Sequence, residues 1–201
     1  MTEEDFYFTV TQETEVKLNI SRSVFIAIVK EAKSAEEARA FFKEKNVSYP
    51  DATHYCSAFR VRQEKEIIEF YSDGGEPAGS AGKPILEVLS KNNLTDTALI
   101  VIRYFGGKKL GLRGLREAYA SAAALAVEKA GMKRCLAGKE YAIFCNYIHI
   151  KELENIFHHL HIIKLEENYS KEVYYKIKVP FSKIDSLKRM LPYPLKLEEI
   201  S

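Results

Sequence analysis

The sequence contains no tryptophan, only three cysteines, and no apolar run that approaches the roughly 20 residues of a membrane-spanning helix. The cysteines, Cys56, Cys135 and Cys145, lie far apart, and they form neither a Cys-x-x-Cys pair nor a Cys/His cluster with zinc spacing. Residues 1–5 are acidic and lack the basic start and apolar core of a signal peptide. We therefore expect a cytoplasmic protein with free thiols, no metal, no cofactor and no membrane partner.

The charge is small overall but unevenly distributed. The chain of 201 residues is 46% hydrophobic and 29% charged, which suits one large or two small globular domains. A net charge of +2 does not by itself predict a nucleic-acid partner. One segment, residues 103–116, nevertheless contains no acidic residue and carries five positive charges: Arg103, Lys108, Lys109, Arg113 and Arg116. This segment predicts a focused basic patch.

The first 134 residues predict strands, helices and two glycine-rich loops. A capping box at Ser34 and Glu37, in which each side chain accepts the other's backbone N–H, predicts a helix to about Lys45. The apolar run at residues 97–105 predicts a central strand covered on both faces. The other predicted elements are strands at residues 6–10, 24–29, 55–62 and 67–71, a helix that begins at Pro84, and a long helix at residues 115–130.

The rest of the chain predicts a second domain. Strands are expected at residues 139–146, 162–168, 173–179 and 195–200, and helices at residues 150–160 and 182–191. This order, βαββαβ, is that of a ferredoxin-like unit. We expect an α+β protein with an N-terminal domain at residues 1–134 and a C-terminal domain at residues 138–201.

The candidate catalytic residues are Asp73 and Glu76 in loop one, residues 73–84, and His54 at the start of a predicted strand. Asp73 and Glu76 could act as a base or metal ligand, or could cap local backbone N–H groups. His54 lies two positions before Cys56, so both side chains would face the same side of a strand, and no third group orients them. The residues therefore give weak support to nucleophilic catalysis.

Loop two, residues 103–116, predicts anion binding. A strand that leads through a glycine-rich loop into a helix N-terminus is the usual geometry for holding phosphate. The spacing matches neither a Walker loop nor a dinucleotide fingerprint, and cations on a loop can also be merely solvated. The candidate anion-binding residues are Lys83, Arg103, Lys108, Lys109, Arg113 and Arg116. The glycines expected to expose backbone donors in the two loops are Gly75, Gly79, Gly82, Gly106, Gly107, Gly111 and Gly114.

These loops resemble those of the YigZ/IMPACT family. The resemblance rests on residues 23–27, 51–54 and 72–86, and above all on RYFGGKKLG at residues 103–111, followed by Gly-Leu at 114–115 and Ala-Tyr at 118–119. The chain departs from the family at Gly74, where a second aspartate is usual, and at Leu112 and Arg113, where a threonine and a small residue are usual. The lost carboxylate disfavours metal binding, and Arg113 favours anion binding.

The resemblance implies a fold for each domain and a link to translational control. It implies a first domain like the second domain of ribosomal protein S5, and a second domain like the ferredoxin-like end domain of elongation factor G. Eukaryotic relatives of the first domain restrain the amino-acid-starvation kinase, which links the family to translational control.

Three functional hypotheses follow. The first is a non-enzymatic protein that binds RNA or the ribosome and regulates translation, with Tyr104 and Phe105 either stacked on bases or buried at the strand end. The second is an enzyme for a small phosphorylated or carboxylated substrate, in which Asp73 or Glu76 is the base or metal ligand and Lys83 or Arg103 steadies charge. The third is a module that docks on a protein partner.

Overall fold

The computed structural model describes residues 5–63 and 66–200. The protein is of the mixed α+β class, as predicted. Its contacts divide it into two compact units, one made of residues 7–135 and the other of residues 5–6 together with residues 136–200.

The first unit is built on a five-stranded antiparallel sheet in the order β2-β3-β6-β4-β5. A separate two-stranded sheet pairs β1 with β7. The strands are β1 (Phe6–Val10), β2 (Thr14–Ile20), β3 (Ser23–Glu31), β4 (His54–Gln63), β5 (Glu66–Ser72), β6 (Thr97–Tyr104) and β7 (Met132–Leu136). The sequence predicted neither β2 nor β7. The first is a half-buried strand at the sheet edge, and the second is held by non-local pairing to β1.

Three helices cover the two faces of the five-stranded sheet, α1 (Ala35–Ser48), α2 (Gly82–Lys91) and α3 (Gly111–Ala130). The side chains of β6 show the layering, because Leu99 and Val101 pack with α2 and α3 while Ile100 and Ile102 pack with α1. Strand β6 is therefore central and covered on both faces, as its continuous apolar run predicted.

The predicted N-cap of α1 is confirmed at Ser34, but one half of its capping box and the starts of α2 and α3 differ from the prediction. At α1, Ser34 accepts the Glu37 N–H at 3.2 Å, but the Glu37 carboxylate accepts the N–H of Lys33 at 2.7 Å instead of the Ser34 N–H. Helix α2 begins at Gly82, two residues before Pro84, because a carboxylate from loop one accepts the Gly82 N–H. Helix α3 begins at Gly111, four residues before the predicted start. Glycine is a poor helix former, and here burial of Leu115 against the core outweighs that propensity.

The second unit contains β8 (Gly138–Cys145), α4 (Ile150–Leu160), β9 (Ile163–Tyr169), β10 (Val173–Pro180), α5 (Ile184–Met190) and β11 (Glu198–Ile200). Its antiparallel sheet has the order β11-β8-β10-β9. This is the βαββαβ order that the sequence predicted, with a shorter last helix and last strand, and it is ferredoxin-like.

Candidate functional site

Three adjacent strands place a row of side chains on the face covered by α2 and α3. Arg103 of β6 is the cross-strand partner of His54 on β4 and of Phe25 on β3. Directly opposed residues of an antiparallel pair project to the same face of the sheet, so the three side chains are neighbours. The sheet order, rather than any short motif, brings His54 to Arg103.

A buried ion pair joins loop one to this row. Nη1 of Arg103 lies 2.5 Å from Oε1 of Glu76, and the two side chains are only 5% and 4% exposed. The Tyr119 hydroxyl, from α3, donates to the same Oε1 at 2.8 Å. The guanidinium also lies 5.3 Å from the ring centres of both Phe25 and Phe105, a cation–π arrangement. The charge of Arg103 is thus already balanced by Glu76.

Asp73 acts as a cap for loop one. Its carboxylate accepts the backbone N–H groups of Gly79 at 2.8 Å, Ala81 at 2.9 Å and Gly82 at 2.8 Å. These bonds use the lone pairs that a metal or a substrate proton would need. The structure therefore favours the capping alternative for Asp73 over the base or metal-ligand alternative. Among the residues described, no cluster of three or more His, Cys, Asp and Glu side chains has the geometry of a metal site.

The thiol of Cys56 is protonated at neutral pH. Burial raises its pKa to about 12, and the nearby carboxylates Glu76 and Asp73 act in the same direction. The Sγ–H donates to the Asp73 carbonyl at 3.0 Å. Burial also raises the pKa of Tyr119, with Cys56 and Glu76 adding to the effect. Neither group is the ready nucleophile that a thiolate or phenolate would be.

His54 has a defined tautomer. Its Nδ1 lies 3.1 Å from the carbonyl oxygen of Gly74, and since a carbonyl can only accept, Nδ1 carries the proton. The other ring nitrogen, Nε2, lies 3.9 Å from Oε1 of Glu76. In the neutral imidazole, a lone pair on Nε2 therefore lies close to a carboxylate.

Both glycine-rich loops line one cavity of about 480 Å³. Its polar lining comes from Thr53, His54, Glu76, Arg103 and Lys109. Residues 110–112 at the start of α3 also line it, and there the helix N-terminus has no side-chain cap and no acidic residue in the first turn. The apolar lining residues are Pro77, Phe105, Leu110, Leu112 and Leu115.

The six predicted anion-binding side chains do not all line the cavity. Arg103 and Lys109 line the cavity, whereas Lys83 on α2 and Lys108 in loop two are exposed outside it. Arg113 forms an exposed ion pair with Glu117 at 2.8 Å. Arg116 donates to the Gly79 carbonyl at 2.7 Å and lies 3.5 Å from Glu87.

The predicted loop glycines have different structural roles. A Cβ at Gly106 would lie 1.7 Å from the carbonyl oxygen of Arg22, so this position needs glycine for close backbone approach. Gly107 and Gly111 have φ values of 85° and 70°, and a Cβ there would meet open space. Gly106 is therefore explained by packing, and Gly107 and Gly111 by backbone conformation.

Three residues of the site were not among the predicted ones. Ser23 accepts from Nη2 of Arg103 at 3.2 Å and from the Gly106 N–H at 3.3 Å. Thr53 accepts the Phe105 N–H at 3.0 Å. With Tyr119, these hydroxyls fix the strand ends beside the cavity. All three residues lie in the segments on which the family resemblance rests, and that was the signal that could have revealed them.

The fold and the cavity together define the class of protein: an α+β chain whose first unit carries two glycine-rich loops on one cavity and whose second unit is ferredoxin-like. The sequence profile of the Impact N-terminal domain matches residues 21–127. The chain belongs to the IMPACT family.

Two curated relatives match most of the chain. The IMPACT family member YvyE of Bacillus subtilis is 35% identical over 167 residues, which cover 83% of this chain and 76% of the relative. The IMPACT family member YigZ of Escherichia coli is 30% identical over 166 residues, which cover 82% and 81% of the two chains. A crystal structure of a hypothetical protein matches with a TM-score of 0.67 at 27% identity and 98% coverage of each chain. This match extends over both units and supports the predicted fold class.

No helix in the described part of the chain is long and apolar enough to span a membrane.

Proposed function

We propose that the chain is a non-enzymatic, cytoplasmic binding protein that contacts RNA, and through it the ribosome, with loop two and the first turn of α3, and that it regulates translation. The observation that carries this proposal is the N-terminus of α3. Its first turn has neither a side-chain cap nor an acidic residue, and Lys108, Lys109 and Arg113 are exposed around it.

A helix N-terminus of this kind attracts phosphate for two reasons. Its first backbone N–H groups have no acceptor within the helix, and the aligned peptide dipoles place partial positive charge there. Three exposed cations add to that field. The partial charges of the helix and the full charges of the side chains thus have the same sign.

The charges that remain available differ from the five counted in the sequence. Arg103 is neutralised by Glu76, and Arg116 is engaged by Gly79 and Glu87. The Arg113–Glu117 pair is exposed, with Arg113 93% accessible, and such pairs are weak enough for a phosphate to replace the carboxylate. Lys108, Lys109 and Arg113 are therefore the cations expected to contact RNA.

An exposed aromatic ring lines the same cavity as Lys109. Phe105 is 44% exposed, whereas Tyr104 is half-buried. An exposed ring next to a basic surface can stack on an unpaired base, which is how sequence-tolerant single-strand binders gain affinity. Membership of the IMPACT family, whose eukaryotic relatives act in translational control, supports a ribosomal source for the RNA.

The test is a titration of the full chain with labelled single-stranded RNA at several salt concentrations. We expect the triple variant K108A/K109A/R113A to bind at least tenfold more weakly than the wild type. Each phosphate contact with a single strand contributes about 0.7 to the slope of log affinity against log salt, so the slope should fall by about 2.

The matched control is the triple variant K17A/K33A/K43A, which removes three exposed cations elsewhere in the same unit. It should retain the wild-type affinity and slope. Equal losses in both triple variants would show nonspecific charge attraction, and a wild type without RNA affinity would leave the protein-docking and enzyme hypotheses.

A further inference from the structure

The cavity between the loops has the dimensions and lining of a small-molecule site. Its volume of about 480 Å³ lies within the range of roughly 300–1,000 Å³ that such sites occupy. Pro77, Leu110 and Leu115 give it apolar walls, and its polar lining residues come from two places in the fold. One place is loop one with the ends of β4 and β6, which supply Glu76, His54 and Arg103, and the other is Lys109 with the start of α3.

The first place presents hydrogen-bond acceptors. Arg103 and Tyr119 both donate to Oε1 of Glu76, which leaves the lone pairs of Oε2 for a further donor. Because Nδ1 of His54 donates to the Gly74 carbonyl, Nε2 of the neutral ring is also an acceptor. The Glu76 side chain is only 4% exposed and lines the cavity, so a ligand donor in the cavity can reach the remaining acceptor sites of the carboxylate.

The two acceptors select the chemistry of that donor. His54 Nε2 lies 3.9 Å from Oε1 of Glu76, the oxygen that is already engaged, so the ring nitrogen and the carboxylate border the same part of the cavity. One donor atom placed there can bond to Nε2 and to the carboxylate together. Bonding to both acceptors requires two protons on that atom, which a hydroxyl group lacks and an ammonium group has. A carboxylate can accept from Arg103 and from a ligand together, and a hydrogen bond to it from an ammonium group is charge-assisted.

The second place is positive. Lys109 and residues 110–112 line the cavity where α3 begins, and the helix there has no side-chain cap. Backbone N–H groups and the lysine ammonium together suit a carboxylate or phosphate group. Lys109 and the helix end are positive, and an anionic group of the ligand can balance their charge locally.

We propose that this cavity binds a small zwitterion. Its ammonium group contacts Glu76 and His54, its apolar body lies against Pro77, Leu110 and Leu115, and its carboxylate or phosphate contacts Lys109 and the first turn of α3. The site overlaps the proposed RNA contact at Lys109 and the first turn of α3. The two can still be distinguished, because Glu76 and His54 belong to the cavity and Lys108 lies outside it.

Simple zwitterions and their single-ended analogues test the proposal. The full chain, labelled with ¹⁵N, is titrated with aminohexanoate, aminohexyl phosphate, hexylamine and hexanoate, and binding is followed at the Gly111 amide and the His54 imidazole. At least one zwitterion should bind at least tenfold more tightly than either single-ended analogue. The stronger of the two zwitterions identifies the anionic group as carboxylate or phosphate.

Two lysine variants provide the matched comparison. Lys109→Ala should weaken zwitterion binding at least threefold and leave hexylamine binding unchanged, whereas Lys108→Ala should change neither. Both side chains are exposed, so neither variant is expected to disturb folding. His54→Phe should weaken the binding of the zwitterion and of hexylamine, but not the binding of hexanoate.

Several results would overturn the proposal: no saturation by either zwitterion at millimolar concentration, equal affinity for zwitterions and single-ended analogues, or equal effects of the two lysine variants. The RNA titration separates this outcome from that of the proposed function, because Lys108→Ala should reduce RNA affinity without changing zwitterion affinity.

Discussion

Glu76 and Arg103 connect a glycine-rich loop to the central strand of the sheet, with 2.5 Å between Oε1 and Nη1 and almost no solvent at either side chain. A buried charge that loses its partner is strongly destabilising, whereas loss of the whole pair is often tolerated. The pair therefore holds the loop in place as well as contributing to the cavity lining.

Removal of either partner of this pair should destabilise the protein. We expect Arg103→Met and Glu76→Gln each to lower the free energy of unfolding by about 3 kcal/mol, because each leaves the other group buried and uncompensated. The double variant should lose clearly less free energy of unfolding than the sum of the losses of the two single variants. Urea unfolding measures all three. Arg113→Met, at an exposed ion pair, is the control and should match the wild type. Additive losses would contradict the coupling.

Adjacent glycines in loop two should respond differently to alanine. Gly106→Ala places a Cβ against the carbonyl oxygen of Arg22, and we expect a loss of about 3 kcal/mol because backbone must move. Gly107→Ala meets open space but adopts φ 85°, which costs about 1–2 kcal/mol. Thermal or urea unfolding measures the stability of each variant. If Gly107→Ala proves less stable than Gly106→Ala, the close approach to Arg22 is not the main constraint.

The capping role of Asp73 predicts a local effect. Asp73→Ala leaves three backbone N–H groups without their acceptor, and we expect a loss of about 3 kcal/mol. Amide hydrogen exchange at Ala81 and Gly82 should accelerate more than exchange in the central strand. Asp51→Ala, at an exposed loop position, is the control and should leave both readouts unchanged. Unchanged exchange at Gly82 in Asp73→Ala would refute the cap.

The raised pKa of Cys56 predicts a loss of stability at high pH. The thiol ionises near its ordinary pKa of 9.0 in the unfolded chain, but burial raises the pKa to about 12 in the folded protein. Between these values the unfolded chain binds fewer protons, so the free energy of unfolding falls as pH rises. The slope attributable to one such thiol is at most about 1.4 kcal/mol per pH unit.

Comparison with Cys56→Ala isolates this effect. Urea unfolding from pH 9 upward should show a steeper decline for the wild type than for the variant, with other titrating groups common to both. Cys145→Ala, at a second thiol whose pKa burial raises less, serves as a comparison and should reduce the slope less. Parallel pH profiles for the wild type and Cys56→Ala would contradict the buried, protonated thiol.

Local patterns in the sequence were enough to predict most elements of the fold. The apolar run in β6, the βαββαβ order of the second unit and the N-cap at Ser34 all follow from local periodicity or capping. Strand β2 has an alternating pattern at Val16, Leu18 and Ile20 that could have revealed it. Strand β7 gave no such signal, because its pairing with β1 joins distant parts of the chain.

The candidate site was less predictable, because it depends on the order of strands in the sheet. Sequence alone singled out His54, Glu76 and Arg103 separately, but only the placement of β6 between β3 and β4 makes His54 the neighbour of Arg103. The early start of α3 likewise depends on tertiary packing, and it brings Gly111 into the cavity lining. The count of five cations in residues 103–116 overestimated the charge available for binding, because composition does not show that Arg103 is buried beside Glu76.

The position of Phe105 is suitable for a fluorescent probe. The ring lines the cavity, is 44% exposed, and lies 5.3 Å from the Arg103 guanidinium, in a chain that has no tryptophan of its own. Phe105→Trp would therefore supply a single indole fluorophore at the junction of the cavity and the basic surface. Its emission would report occupancy of either one directly, without a label on the ligand.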